Sequence, residues 1–240
     1  MIMSGASRPA WQTPRSPWRN LSKQGTGALF MTTPGIPKDF WNARFSEQGF
    51  AYGERASRLL LAFRDLLRPG QRALVPACGE GRDAVFLAEC GLDVTAVDLS
   101  AAGLDKTAEL AAERGVPVTC IEADLSEWDW PKAEYDVIAS MFLHVPSSFR
   151  PTLHAFMLES LKPGGHVFLE GFLLEQLDYQ RSHNSGGPPV LDMLFAPVDI
   201  NMDFKDAEAV SFLTGIETLS EGPYHSGPAA ILRAVFRKPE

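Results

Sequence analysis

Residues 72–99 read RALVPACGEGRDAVFLAECGLDVTAVDL, and this stretch decides the fold class. A short apolar run at residues 73–75 predicts a strand, and a β-branched run at residues 94–97 predicts a second one. Between them, a small-residue loop at residues 78–81 leads into a helical apolar face. The stretch therefore predicts strand, tight loop, helix and strand, in that order.

Two glycines and one acid give this unit a binding chemistry. Gly79 and Gly81 let the backbone pass close to a ligand and turn into a helix whose free N–H groups favour an electron-rich partner. Asp98 ends the second strand and can accept hydrogen bonds from both hydroxyls of a ribose. These features predict a nucleoside-cofactor site. The spacing also satisfies the dinucleotide fingerprint, so by itself it leaves NAD and S-adenosylmethionine both open.

The whole stretch resembles motif I and the acidic strand of class I S-adenosylmethionine-dependent methyltransferases, in which a Cys-Gly-x-Gly-Arg loop is frequent. It departs from the commonest form, because Val75 stands where an acid often lies and Ala77 where the first glycine usually does. The Leu-Val-Pro-x-Cys-Gly run looks more like the thiopurine and thiol methyltransferase branch.

Further matches follow in the right order along residues 39–238. The Trp-x-x-Arg-Phe…Tyr-Gly segment at residues 39–53 resembles the opening of small bacterial methyltransferases of the tellurite-resistance type. Leu-Lys-Pro-Gly-Gly resembles the turn before their fifth strand, and Glu-Gly-x-Tyr-His-x-Gly resembles their tail. The resemblance implies a doubly wound, Rossmann-like α/β fold: a mostly parallel seven-stranded sheet with an antiparallel C-terminal hairpin.

The resemblance also implies a cofactor, S-adenosylmethionine, with S-adenosylhomocysteine as product and no metal. Asp98 would bind the ribose, and Asp124 the adenine amino group, although Asp124 could instead cap the turn before Glu127. Arg44 would face the cofactor carboxylate, or would be an exposed partner of Glu47. The expected cofactor-binding residues are Trp41, Arg44, Ala77, Cys78, Gly79, Gly81, Asp98, Leu99, Asp124, Leu125 and Met141.

The acceptor end of the site is predicted from strand order. In open α/β sheets the ligand lies beyond the carboxyl ends of the strands, so residues 141–144 should face the same crevice as the glycine loop. His144 is there either a general base or a histidine that packs a loop. We expect an aromatic lid over residues 39–53 and a functional insertion over residues 172–200. The expected substrate-binding residues are Tyr52, Phe142, Phe172 and Tyr224.

Three classes of function remain open. The first is methyl transfer to a small acceptor with a soft sulfur, selenium or tellurium nucleophile, by direct in-line displacement. The second is O- or N-methylation of a small metabolite with His144 as base. The third is an NAD-binding Rossmann protein or a module that binds the cofactor without catalysis.

The composition of the chain argues against some classes of binding partner. The chain has 240 residues and a net charge of −8, which argues against a sequence-independent grip on nucleic acid. No apolar run approaches the roughly 20 residues of a membrane span, so we expect a soluble protein. Its three cysteines form no disulfide or zinc pattern, which fits a reducing cytoplasm. Whether it is a monomer or a homodimer stays open.

The remaining predictions concern boundaries. Residues 1–30 carry four basic residues, no acid and several prolines, which predicts a disordered extension before a single domain at residues 31–240. Helices are expected at residues 54–67, 100–115, 149–161 and, as a short one, within 203–212. Later strands are expected at residues 116–122, 135–141, 166–171, 216–221 and 229–237.

Overall fold

A seven-stranded sheet runs through the part of the chain that the computed structural model describes, residues 36–183 and 185–240. The predicted extension over residues 1–30 lies outside the described residues. The strands are β1 Arg72–Pro76, β2 Asp93–Asp98, β3 Thr119–Glu122, β4 Tyr135–Met141, β5 Leu161–Phe172, β6 Glu208–Ser220 and β7 Ser226–Arg237.

The spatial order of the strands is β3-β2-β1-β4-β5-β7-β6. The first five strands pair in parallel, whereas β7 runs antiparallel to both of its neighbours. This is the predicted fold class, a parallel sheet closed by an antiparallel hairpin, and it is confirmed. The order reverses direction between β1 and β4, and a crevice for ligands forms at such a switch point.

Helices cover both faces of the sheet. They are α1 Lys38–Phe45, α2 Arg58–Ala62, α3 Arg82–Glu89, α4 Ala101–Arg114, α5 Arg150–Ser160, α6 Gln176–Ser182 and α7 Pro197–Asp203, with single 3₁₀ turns at Arg64–Leu66 and Leu191–Met193. Helix α4 shows how particular residues determine where a helix begins and ends. The Ser100 side chain accepts from the Gly103 amide at its start, and Gly115 ends it in the left-handed region, at φ 69°.

Two apolar clusters hold the layers together. On one face Leu153 and Met157 of α5 pack with Phe204 against Ile138 of β4. On the other face, α2 and α3 pack Leu60 and Leu87 against β1 and β5. Because both faces are covered, the central strands are buried along most of their length.

Several predicted boundaries are wrong, and tertiary contacts explain them. The helix predicted at residues 54–67 is broken into α2 and a 3₁₀ turn, and its start is delayed because the Ser57 amide donates to the Asp83 carboxylate at 2.7 Å. The short helix expected within 203–212 lies earlier, as α7, because Pro197 favours a first helical position. Residues from 208 onward instead pair with β7.

The ends of other strands also shift. β3 begins at Thr119 and is shorter than predicted, whereas β5, β6 and β7 begin earlier, and β5 takes in the Lys-Pro-Gly-Gly turn. The predicted insertion at residues 172–200 starts on the last residue of β5 and contains α6, a 3₁₀ turn and the first half of α7.

Candidate functional site

The glycine loop after β1 adopts a left-handed backbone at three positions. The φ angles are 51° at Ala77, 57° at Gly79 and 84° at Gly81. A Cβ at Gly81 would lie 2.6 Å from the Thr107 side chain, so only glycine fits there. Ala77, which replaces the usual first glycine, adopts a conformation that glycine takes at lower cost. The backbone thus keeps the turn of the motif although one glycine is missing.

Asp98, at the end of β2, faces this loop. Its Oδ2 accepts from the Gly79 amide at 2.7 Å and its Oδ1 from the Ser100 amide at 2.8 Å. The side chain is 6% exposed, and burial raises the pKa of this carboxyl. A carboxylate has about four lone-pair sites, so each oxygen can accept a further hydrogen bond.

The N-terminal segment lies across the ends of β1, β2 and β3. From α1, Asn42 Oδ1 accepts from the Ser100 hydroxyl at 2.7 Å, and Lys38 forms an ion pair with Glu122. Phe45 is buried, and its ring would be 3.3 Å from a Cβ at Gly79. The segment predicted as a lid therefore covers the crevice in this structure.

Four aromatic rings meet at the ends of β4 and β5. The His225 ring lies 4.6 Å from Tyr52, 4.5 Å from Phe142 and 5.2 Å from Phe172, measured between ring centroids. Phe142 follows Met141 with φ 55°, a strained conformation for a bulky residue, and such strain is concentrated at functional sites. The structure brings together three of the predicted substrate residues around a histidine that sequence reasoning did not select.

Tyr224, the fourth predicted substrate residue, contacts the lid. Its hydroxyl donates to Glu47 at 2.6 Å, and the guanidinium carbon of Arg44 lies 3.4 Å from its ring centroid. Arg44 also donates to the Tyr52 hydroxyl at 3.4 Å and lies 3.7 Å from Glu47. The predicted alternative is an exposed Arg44 that pairs with Glu47; the pair is present, but the Arg44 side chain is only 17% exposed. Burial raises the pKa of Tyr52 to about 12, so this phenol stays protonated.

His144 is held by the backbone on both sides of its ring. Its Nδ1 lies 2.8 Å from the Met193 carbonyl oxygen, and its Nε2 accepts from the Phe172 amide at 3.0 Å. These bonds assign the ring proton to Nδ1, because an amide can only donate. Burial lowers the pKa of His144 to about 4. The ring is neutral and fastens the insertion to the end of β5.

Known proteins resemble the chain in both sequence and fold. A family model described as "Methyltransferase domain" matches residues 73–165. The ribosomal protein L11 methyltransferase of Burkholderia vietnamiensis is 29% identical over 144 residues, which is 55% of this chain and 43% of that protein. The chain thus spans less than half the length of such curated relatives.

Residues 73–165 are therefore similar to a methyltransferase domain, and the sheet around them has the fold of class I S-adenosylmethionine-dependent methyltransferases.

Solved structures agree with this chain in fold, at 15–17% identity. One, from a study of the conversion of a disulfide bond into a thioacetal group during echinomycin biosynthesis, has a TM-score of 0.68 over 84% of this chain and 92% of its own. TehB from Haemophilus influenzae has a TM-score of 0.61 over 84% and 66%. Magnesium protoporphyrin IX methyltransferase from Synechocystis, with bound S-adenosylhomocysteine, has 0.59 over 84% and 97%.

The residues of this chain fit S-adenosylmethionine at the ribose end, because each Asp98 oxygen accepts one backbone amide and can accept a further hydrogen bond. At the adenine end, Asp124 is exposed and its Oδ1 accepts from the Ser126 amide at 2.9 Å and hydroxyl at 2.7 Å. The turn cap considered as an alternative is present, and it leaves the second oxygen of the carboxylate for another donor. Leu125 follows and is half-buried.

Sequence reasoning missed two charged residues inside the motif. Glu80 is buried, accepts from the Ala51 amide at 2.7 Å and pairs with Lys106 at 2.8 Å, which ties the lid to the glycine loop. Arg82 donates to the Tyr52 carbonyl at 2.8 Å and to Glu221 at 3.0 Å. The sequence did carry a signal for them. A charged residue beside an otherwise apolar helix face is costly to bury without a partner, so its presence predicts a buried ion pair or hydrogen bond.

The described part of the chain lacks two further features, a membrane-spanning helix and a metal-binding cluster. None of the helices at residues 36–183 and 185–240 has the length and apolar character needed to cross a membrane. Over the same ranges, no three or more His, Cys, Asp and Glu side chains are grouped so that they could hold a metal ion.

Proposed function

We propose that this chain methylates a small molecule with a soft sulfur, selenium or tellurium nucleophile, by direct in-line displacement. One observation carries the proposal: the rings of Tyr52, Phe142, Phe172 and His225 close on one another at the ends of β4 and β5. An aromatic, largely buried end of the crevice suits a small and weakly hydrated acceptor. It does not suit a protein tail that must stay solvated along its length.

The cofactor contacts are part of the proposal. Asp98 and Leu99 hold the ribose, Asp124 and Leu125 the adenine, and the loop from Ala77 through Cys78 to Gly81 supports the amino-acid part. Trp41, Arg44 and Met141 complete the set from the lid and from β4. S-adenosylmethionine supplies an electrophilic methyl group on a sulfonium.

The chain's own residues align the partners and exclude water. Glu80 fastens residues 51–52 above the glycine loop, and Arg82 joins that segment to the C-terminal hairpin. Alignment of a nucleophile with a reacting carbon can lower a barrier by about 7–11 kcal/mol. A soft nucleophile that is already ionised needs little more than this.

The alternatives have less support. To act as the base for an O- or N-acceptor, His144 would have to release the Phe172 amide, and a pKa of about 4 makes it a weak base. NAD is disfavoured because the matching family and the S-adenosylhomocysteine-bound neighbour are methyltransferases. The relatives named for ribosomal protein L11 suggest a protein acceptor, but the enclosed aromatic end favours a small molecule.

Two neighbours favour soft acceptors. The echinomycin study concerns chemistry at a disulfide, which is sulfur chemistry, and the TehB match agrees with the tellurite-resistance resemblance of residues 39–53. Both are fold likenesses, and so they support the acceptor class only by analogy.

A screen of thiols, chalcogenide salts and phenols for release of S-adenosylhomocysteine tests the proposal. We expect turnover with thiols or chalcogenides and little with phenols. Tyr52→Ala and Trp41→Ala should lower turnover because the lid no longer excludes water. The proposal fails if phenols or amines are the best acceptors and His144→Gln abolishes their turnover.

A further inference from the structure

His225 is a titratable side chain within the aromatic end of the crevice, and the function proposed above uses it only as one of the lining rings. It is 5% exposed and stands among the rings of Tyr52, Phe142 and Phe172. Phe142 and Phe172 mark the ends of β4 and β5, so His225 lies where an acceptor has to meet the cofactor.

The two nitrogens of His225 face different surroundings. Nδ1 is buried and has no hydrogen-bond partner in the described part of the chain; the Glu221 Oε2 lies 3.5 Å away. The edge that carries Nε2 packs against Gly186 of the insertion, where a Cβ would lie 2.4 Å from Cδ2 and 3.0 Å from Nε2. A side chain at position 186 would collide with the ring, so glycine is needed for His225 to occupy this place.

The ring nitrogens of His144 and His225 therefore have different neighbours. Both ring nitrogens of His144 are bonded to backbone groups, whereas Nδ1 of His225 faces a carboxylate. A carboxylate beside one nitrogen orients a histidine and stabilises the proton that the other nitrogen receives.

Burial keeps His225 neutral, and its neighbours keep the Glu221 carboxylate ionised. It is faced by Glu221 of its own hairpin, Arg82 of α3, Arg44 of α1 and His144 after β4, with Tyr52 packed on its ring. Burial lowers the pKa of His225. Burial alone would raise the pKa of Glu221, but His225 and Arg82 together lower it to about 2.

We propose that His225, oriented by Glu221, is the base that removes the proton from a thiol or selenol acceptor. The inference rests on the proposed methyl transfer and narrows it to acceptors that arrive protonated. The acceptor's S–H bond breaks and an N–H bond forms on His225 Nε2. The sulfur lone pair then forms the bond to the methyl carbon, and the carbon–sulfonium pair stays on S-adenosylhomocysteine. The proton leaves to solvent on release.

The lowered pKa of His225 limits which acceptors it can deprotonate. A thiol has a pKa near 8.5 and a phenol near 10, so a histidine with a lowered pKa can deprotonate the thiol at much smaller cost. The thiolate is the nucleophile, and its population limits the rate when the free thiol is protonated. His225 therefore matters most for a weakly acidic thiol, and least for one that is ionised in water.

Two probes separate these cases in an experiment on the full chain. 2-Mercaptoethanol is protonated at neutral pH, and 4-nitrothiophenol is ionised. With His225→Gln we expect turnover of 2-mercaptoethanol to fall about 10²–10⁴-fold, and turnover of 4-nitrothiophenol to change less than about tenfold. His166→Gln is the matched control, because His166 lies midway along β5, six residues before Phe172 at the crevice.

A second readout does not depend on turnover. In a nuclear magnetic resonance titration of the full chain, the His225 ring should titrate below pH 6.5 in the wild type and lower still in Glu221→Gln. The kcat/KM of the wild type should rise with pH through an apparent pKa below 6.5, and Glu221→Gln should move that limb to lower pH.

The outcomes distinguish the two proposals. Suppose that the wild type methylates both thiols. If His225→Gln then loses the same factor in turnover with both thiols, or loses turnover with neither, His225 is not the base, and the proposed methyl transfer is unaffected. If the wild type methylates neither probe, both proposals fail. Equal melting temperatures and equal S-adenosylhomocysteine affinity in the variants exclude misfolding as the cause.

Discussion

The two ends of the crevice are built in different ways. The cofactor end around Asp98, where we propose that the ribose and the amino-acid part bind, comes from one continuous stretch, residues 72–99, with Ser100. Backbone amides that donate to Asp98 hold it in place. The acceptor end is assembled from four separate segments, at residues 50–53, 141–144, 172–195 and 221–225. A buried ion pair between Arg82 and Glu221 links it to the first end. The first end depends on local chain geometry, and the second on tertiary packing.

Arg82 joins the two ends, and its removal should have the largest effect. Its side chain is 9% exposed and lies 3.3 Å from Asp83 and 3.0 Å from Glu221. Arg82→Met leaves two buried carboxylates without their cation, which should lower the free energy of unfolding by about 3–5 kcal/mol. Urea unfolding measures this.

Arg72→Met is the matched control. Arg72 also pairs with two acids, Glu134 at 2.6 Å and Asp93 at 3.5 Å, but its side chain is 40% exposed. Exposed pairs contribute about 0–1 kcal/mol, so this variant should be nearly silent. Equal losses in the two variants would mean that the buried network does not hold the acceptor end together.

The ionisation of Glu170 makes the contribution of a buried charge measurable as a pH dependence of stability. Its Oε1 lies 2.6 Å from Arg233 Nε, but burial raises its pKa to about 7 from an ordinary value of 4.5. Between those values the native state holds a proton that the unfolded state has lost, so stability falls as pH rises. At 1.36 kcal/mol per pKa unit, the wild type should lose about 3 kcal/mol relative to Glu170→Gln between pH 4.5 and 7.

Urea unfolding of both proteins at pH 5 and pH 8 checks this. Parallel stability curves would show that Glu170 is ionised throughout and that Arg233 outweighs its burial.

The same contrast explains what the sequence could predict. The sheet, the glycine loop and Asp98 followed from periodicity and from residues close together in the chain. The pair of His225 and Tyr52 could not be foreseen, because 173 positions separate them and only the lid and hairpin packing joins them. The broken helix at residues 54–67 has the same origin, since the Asp83 carboxylate takes the Ser57 amide.

Asp98 tests the cofactor end directly. If it accepts from the ribose hydroxyls, Asp98→Ala should weaken S-adenosylhomocysteine binding by about 1.5–3 kcal/mol for each lost bond to the charged group. Asp124→Ala should cost less, because Asp124 is exposed and part of its carboxylate caps a turn. Calorimetry measures both. Unchanged affinity in Asp98→Ala, or tight NAD binding by the wild type, would remove the ribose assignment.

The smallest expected effect lies at Ala77, where the glycine loop departs from the commonest motif. A non-glycine residue in the left-handed region costs about 1–2 kcal/mol, and φ is 51° at Ala77. Ala77→Gly removes that strain but adds about 0.4–1 kcal/mol of unfolded-state entropy, so a net gain of roughly 0.5–1 kcal/mol is expected. Ala133→Gly is the matched control, because Ala133 has φ 49°, is exposed and lies just before β4, away from the loop. Both variants should gain similar stability in urea unfolding, while S-adenosylhomocysteine affinity changes in neither. If Ala77→Gly alone loses affinity, the alanine side chain itself shapes the cofactor end, and that end would depend on more than backbone geometry.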